Sequence, residues 1–138
     1  MKVLISACLL GRNCKYNGGN NLNQKVHDFL EGKEVIGICP EVLGGLPTPR
    51  KPAELVNGIA TTADGVSVHQ EFQKGVALAL ERIAKEEIEC VILQSRSPSC
   101  GVNRIYDGSF SGKLVKGQGL FAQALREKGY RVVDAEEL

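Results

Sequence analysis

Four cysteines, one glutamate and two serines are the side chains in this 138-residue sequence whose types and settings suit chemistry. Cys39 opens the stretch Cys39-Pro40-Glu41, after which the chain runs through Gly44-Gly45, Pro47, Pro49, Arg50, Lys51 and Pro52. Proline fixes φ and removes a backbone donor, so this stretch reads as a stiff loop in place of a further regular element. It follows the apolar run Val35, Ile36 and Ile38, which reads as a buried strand. A thiol, a carboxylate and a guanidinium thus sit on a rigid loop at the end of a core strand, a usual setting for a functional site. Glu41 suits general acid or base work there; paired with Arg50 or Lys51 it is an ordinary loop carboxylate instead. Ser97 and Ser99 flank Pro98 ahead of Cys100, where they can hydrogen-bond a substrate or their own backbone. Gly117-Gln118-Gly119 offers backbone N–H groups to an anion, but a lone G-x-G is weak evidence, and an ordinary helix entry is the preferred reading.

Alternating strands and helices must position these groups. Strands are expected at Lys2 to Ser6 (running on to Cys8), Val35 to Ile38, Cys90 to Leu93 and Arg131 to Val133. Leu22, Val26, Phe29 and Leu30 fall at helical spacing ahead of Gly32, and Phe72, Val76, Ala79, Leu80, Ile83 and Ala84 form the clearest amphipathic helix. Leu120, Phe121, Ala124 and Leu125 form another, ended by Gly129. Residues 11–21 are a Gly- and Asn-rich loop. Between Glu54 and Val68 a short β excursion is expected from Leu55-Val56 and Val66 to Val68, with turns at Asn57-Gly58 and Asp64-Gly65. Asn103 to Lys116 reads as a polar loop with a turn at Asp107-Gly108. The pattern predicts one α/β domain over residues 1–138, Rossmann-like and three-layered, with a small, mostly parallel sheet and helices on its faces.

In such sheets ligands bind outside the carboxyl ends of the strands, where the strand order switches. Cys8 and Cys39 end the first and second strands, Cys100 follows the third, and Cys14 lies further along the first loop. These four converge on one rim, whereas Cys90 stands at the opposite end of its strand and reads as core. Three or four converging thiolates suit zinc or an iron–sulfur cluster. No C-x-x-C pair or ferredoxin-like run is present to choose between them, and four small buried hydrophobes are the plain alternative. His27 and His69 lie away from the rim, as surface or capping residues.

A net charge of +1, with no basic run and no Trp, argues against a nucleic-acid footprint or a membrane patch. Leu4 to Cys8 imitates a lipoprotein cleavage site, but a signal needs an apolar region of about 7–15 residues. No apolar run reaches the roughly 20 residues of a membrane span. A cytoplasmic protein with reduced thiols is expected, which directs the five cysteines toward metal, catalysis or packing.

Four segments carry a resemblance: Ser6 to Gly19 (SACLLGRNCKYNGG), Cys39 to Glu54 (CPEVLGGLPTPRKPAE), Gln94 to Gly101 (QSRSPSCG) and Gly117 to Leu125 (GQGLFAQAL). With their spacing they resemble the thiouracil desulfidase family over essentially the whole chain. Some members carry an additional C-terminal domain; the single-domain form is expected for this sequence. The resemblance implies an oxygen-sensitive [4Fe-4S] cluster held by three cysteines, here Cys8, Cys39 and Cys100, with one iron free of protein ligands. It implies desulfidation of a small thiolated nucleobase or nucleoside to the oxo-base and sulfide, by net hydrolysis. Glu41 would transfer the proton and Ser97 would orient substrate or water, with Ser99 and Cys14 as substrate-binding residues. Cys14 could instead serve structure or sulfur handling. The competing expectations are a non-catalytic zinc or thiol-metal domain, closed by Cys14 as fourth ligand, and a redox-sensing cluster protein.

Overall fold

A computed structural model describes residues 2–138. Four parallel strands form the central sheet in the order β2-β1-β5-β8, with β1 at Lys2–Ser6, β2 at Glu34–Ile38, β5 at Ile88–Leu93 and β8 at Val132–Asp134. Alternate residues of a strand face opposite sides, and β1 shows the consequence. Val3 and Ile5 enter one core with Leu9, Val26, Leu30, Cys90 and Ile92. Leu4 enters the other with Ile36, Ala79, Ile83, Val91, Phe121 and Leu125. The first core is covered by α1 (Gln24–Leu30), the second by α3 (His69–Ile83) and α4 (Leu120–Glu127). The expected three-layer α/β arrangement is therefore present, and Cys90 is one of its core residues. Burial of each large apolar side chain in these layers contributes roughly 1.5–3 kcal/mol.

Several local expectations are corrected. The stretch after Cys39 is not all loop, because Pro40–Leu43 form a short helix, α2. Proline is tolerated at the first helical position, where its missing N–H would have no partner anyway, and Glu41 in the first turn favours the helix dipole. The β excursion pairs β3 (Ala53–Val56) with β4 (Ile59–Thr62), not with Val66 to Val68. Asn57 and Gly58 both have positive φ (51° and 81°), which makes a two-residue turn whose strands must flank it directly. Residues 103–116 hold a second hairpin, β6 (Arg104–Tyr106) and β7 (Leu114–Lys116). Its connecting loop is tied to β3, as Glu54 Oε1 accepts from the N–H groups of Gly108 and Phe110 at 3.0 and 3.2 Å. Leu22 precedes α1 and is 60% exposed; the helix begins two residues later, with Asn23 accepting from the Val26 N–H as its cap.

One packing feature decides where the Cys39 segment sits. Gly44, at the end of α2, and Gly75, in α3, let the two helices meet backbone to backbone. A Cβ on Gly75 would overlap the Pro40 carbonyl oxygen, and one on Gly44 would overlap that of Glu71.

Candidate active site

The order β2-β1-β5-β8 switches between β1 and β5, and a cavity of about 550 Å³ opens over the strand ends there. Ser6, the last residue of β1, bridges the switch by accepting from the Gln94 N–H at 3.0 Å. Cys8, Cys14, Cys39, Cys100, Glu41, Ser97 and Ser99 all line this one cavity. Every expected site residue is thus brought together, while Cys90 and both histidines lie outside. His69 is the first residue of α3, where its Nδ1 accepts from the Ala60 N–H at 3.1 Å.

Each thiol is held by its own local structure. Cys8 lies in a single 3-10 turn, Ala7–Leu10, closed by Gly11 at φ 94°. Asn21 returns from the Gly/Asn loop to donate through Nδ2 to Cys8 Sγ at 3.5 Å. Cys39 is the N-cap of α2. The neighbouring Cys14 thiol holds Cys39 down at about 7, against the opposing effect of burial, with the Val42 N–H helping. Cys14 likewise lowers Cys8, and its two thiol neighbours and burial drive Cys14 itself up. Cys100 is buried, which pushes its thiol up to about 12. A thiol so desolvated becomes a thiolate readily only when a cation coordinates it. Among the described residues no three Cys, His, Asp or Glu side chains close on a single point as around one ion. The thiols instead border an open space.

Glu41 lies among these thiols, held from both sides. Its Oε1 accepts from Arg50 Nε at 3.2 Å, and its Oε2 accepts from Ser99 Oγ at 2.8 Å. The Arg50 side chain is only 7% exposed. Its other hydrogen bonds go to Cys14 O at 2.9 Å, Thr48 Oγ1 at 3.1 Å and Pro47 O at 3.2 Å, and its backbone N–H goes to Tyr16 O at 2.6 Å. Arg50 therefore fastens the proline loop to the Cys14 loop as well as pairing with Glu41. Lys51, the other candidate partner, pairs with Asp64 instead. Sequence reasoning named Arg50 only as a possible ion-pair partner. Its hold on Cys14 had no local signal, since the two residues are 36 apart in the chain. Ser6 and Asn21 were missed as site residues for the same reason.

The Ser97–Cys100 loop is shaped by α4. The N–H groups of Gly119, Leu120 and Phe121 donate to Gly101 O, Pro98 O and Ser99 O at 2.8, 2.9 and 2.8 Å. The Gly117-Gln118-Gly119 segment is thus a helix entry, and the first N–H groups of α4 that follow it are spent on this loop. A Cβ on Gly119 would overlap the Ser99 backbone. Gly119→Ala is expected to displace Ser99 and Cys100, seen as a lower Tm and weaker metal uptake than wild type; unchanged values for both would refute that role.

Comparison with known proteins places the chain in a family. The sequence profile of the 2-thiouracil desulfurase family matches residues 3–137. The uncharacterised protein YbbK of Bacillus subtilis (strain 168) is 38% identical over 146 residues, spanning 99% of this chain and 97% of that protein. A solved structure of the [4Fe-4S]-dependent thiouracil desulfidase TudS matches with a TM-score of 0.92 at 40% identity, over 99% of this chain and 92% of that one. With a family match running from the first strand to the last turn, the chain belongs to the 2-thiouracil desulfurase family.

Proposed function

We propose that this protein is a [4Fe-4S]-dependent desulfidase that converts a small thiolated nucleobase or nucleoside into its oxo-base and sulfide by net hydrolysis. The observation that carries this reading is the convergence of Cys8, Cys39, Cys100 and Glu41 on one cavity at the strand-order switch. The donor set fits a cluster: the cysteine thiolates are soft ligands, and three of them line one open cavity. Cys8, Cys39 and Cys100 would hold the cluster, which when bound supplies a Lewis-acidic iron for the sulfur of a thiocarbonyl.

The chain's own residues then have separable tasks. Glu41, fixed by Arg50 on one oxygen and Ser99 on the other, accepts a proton from the attacking water and later returns it to the product side. Ser97 lies half-buried on the cavity wall and orients substrate or water. Cys14 completes the contact surface for substrate, whereas the Ser99 hydroxyl, on a residue only 2% exposed, is spent on Glu41. No helix among the described residues is long and apolar enough to cross a membrane, and the reading places the enzyme in the cytoplasm, with no membrane partner and no nucleic-acid footprint.

The test is iron and acid-labile sulfide content after oxygen-free reconstitution, followed by addition of 2-thiouracil. About four of each per chain, with release of uracil and sulfide, supports the reading. Zinc without labile sulfide overturns it in favour of a metal-binding domain. Cys14 separates the two independently, because a catalytic metal keeps an open position and a structural site does not. Cys14→Ala is expected to retain iron and sulfide with altered turnover; loss of metal would instead make Cys14 a fourth ligand.

A further inference from the structure

We propose that Ser99 is a positioning residue that relays a proton between Ser97 and Glu41, an inference that rests on the desulfidase reading above. A serine hydroxyl has one proton and two lone pairs. Ser99 Oγ lies 2.8 Å from Glu41 Oε2 but 3.8 Å from Cys100 Sγ, so its proton goes to the carboxylate. The 3.2 Å contact between the two serines must then be donated by Ser97. Ser97 Oγ also accepts the Cys100 N–H at 2.7 Å, which spends one of its lone pairs and leaves the other for a donor in the cavity. Every hydroxyl in the chain Ser97–Ser99–Glu41 therefore has its direction set.

Ser99 is 2% exposed, so water has little room to replace it. At the far end, Glu41 also lines a second cavity of about 260 Å³, with Leu46, Val66, Val68 and Phe72 among its walls.

The step balances without any change of oxidation state. Water in the cavity gives a proton to Ser97, Ser97 gives its own to Ser99, and Ser99 gives its own to Glu41. The water oxygen, now carrying the electron pair of the broken O–H bond, forms the bond to the thiocarbonyl carbon. As that bond forms, the C–S π pair moves onto sulfur. The C–S bond then breaks with its electrons on sulfur, and the new hydroxyl releases its proton to solvent to become the C=O. The chain run backwards returns the Glu41 proton to the sulfur, which leaves as HS⁻.

The experiment compares wild type, Ser99→Ala and Ser99→Thr as reconstituted enzymes with 2-thiouracil, and as metal-free proteins by infrared spectroscopy. Ser99→Ala should keep its iron and sulfide while kcat falls about 100-fold, within the range of a lost proton-transfer path, with KM little changed. Its proton inventory in mixed H₂O and D₂O should turn from bowed to linear. Ser99→Thr, which restores the hydroxyl, should recover most of kcat. In the metal-free proteins the Glu41 carboxylate band, assigned by its loss in Glu41→Gln, should shift in Ser99→Ala and return in Ser99→Thr. An active wild type with kcat unchanged in Ser99→Ala, or with Ser99→Thr as impaired as Ser99→Ala, overturns the relay alone. A wild type that never desulfidates overturns the reading and the relay together, while the infrared comparison still reports the Ser99–Glu41 bond.

Discussion

Glu41→Gln lowers desulfidation by about 10²–10⁴-fold, the usual cost of removing a positioned acid or base, while iron and labile sulfide stay at wild-type content. The amide is nearly isosteric with the carboxylate, so the cavity keeps its shape and only the charge and the basic oxygen are lost. The guanidinium of Arg50, its side chain 7% exposed, is then left without its counter-ion. Breaking a buried ion pair costs about 3–5 kcal/mol when nothing replaces the partner. Arg50 keeps acceptors on Pro47, Thr48 and Cys14, so the loss should fall at or below the low end of that range. The variant should therefore fold, with a reduced Tm, and bind its metal. Steady-state turnover, metal content and a melting curve on one preparation test all three statements. Wild-type turnover would remove Glu41 from the mechanism; loss of the metal would recast it as a structural residue.

Gly75→Ala is expected to be severe for a residue that touches no site group. Intrinsic helix propensity favours alanine over glycine by about 1 kcal/mol, so an unobstructed position in α3 would be stabilised. Here the new Cβ overlaps the backbone oxygen of Pro40, which has no rotamer to escape into. Overpacking costs about 1–3 kcal/mol and sometimes more, so the steric effect outweighs propensity and Tm should fall. Activity should suffer further, because the displaced segment is α2, which carries Glu41 and is capped by Cys39. A misplacement of about 1 Å at a reacting group costs on the order of 100-fold in rate. A raised Tm with intact turnover would show that α2 and α3 separate easily and that their contact does not position the site.

Much of this was legible in the sequence, because it depends on local rules. Hydrophobic periodicity located the sheet strands and the three longer helices to within a few residues. The rule that α/β sheets bind ligands at their strand ends was enough to collect Cys8, Cys14, Cys39 and Cys100 and to set Cys90 aside in the core. The four sequence segments pointed to the family. What escaped was set by contacts between distant residues. The short helix at Pro40–Leu43 hid behind its prolines, since a proline-rich stretch and a helix that begins on proline look alike until α3 packs against one of them. The partner strand of β3 was misplaced because Val66 to Val68 is as β-like as Ile59 to Thr62, and only the left-handed turn at Asn57-Gly58 selects between them. Tertiary structure alone decided that Ser99, not Ser97, bonds Glu41 across 58 residues of chain, and that Arg50 fastens Cys14. Residue types and strand order determine which groups reach the rim. The hydrogen bonds among them are fixed by ångström-scale distances between loops that no local pattern specifies.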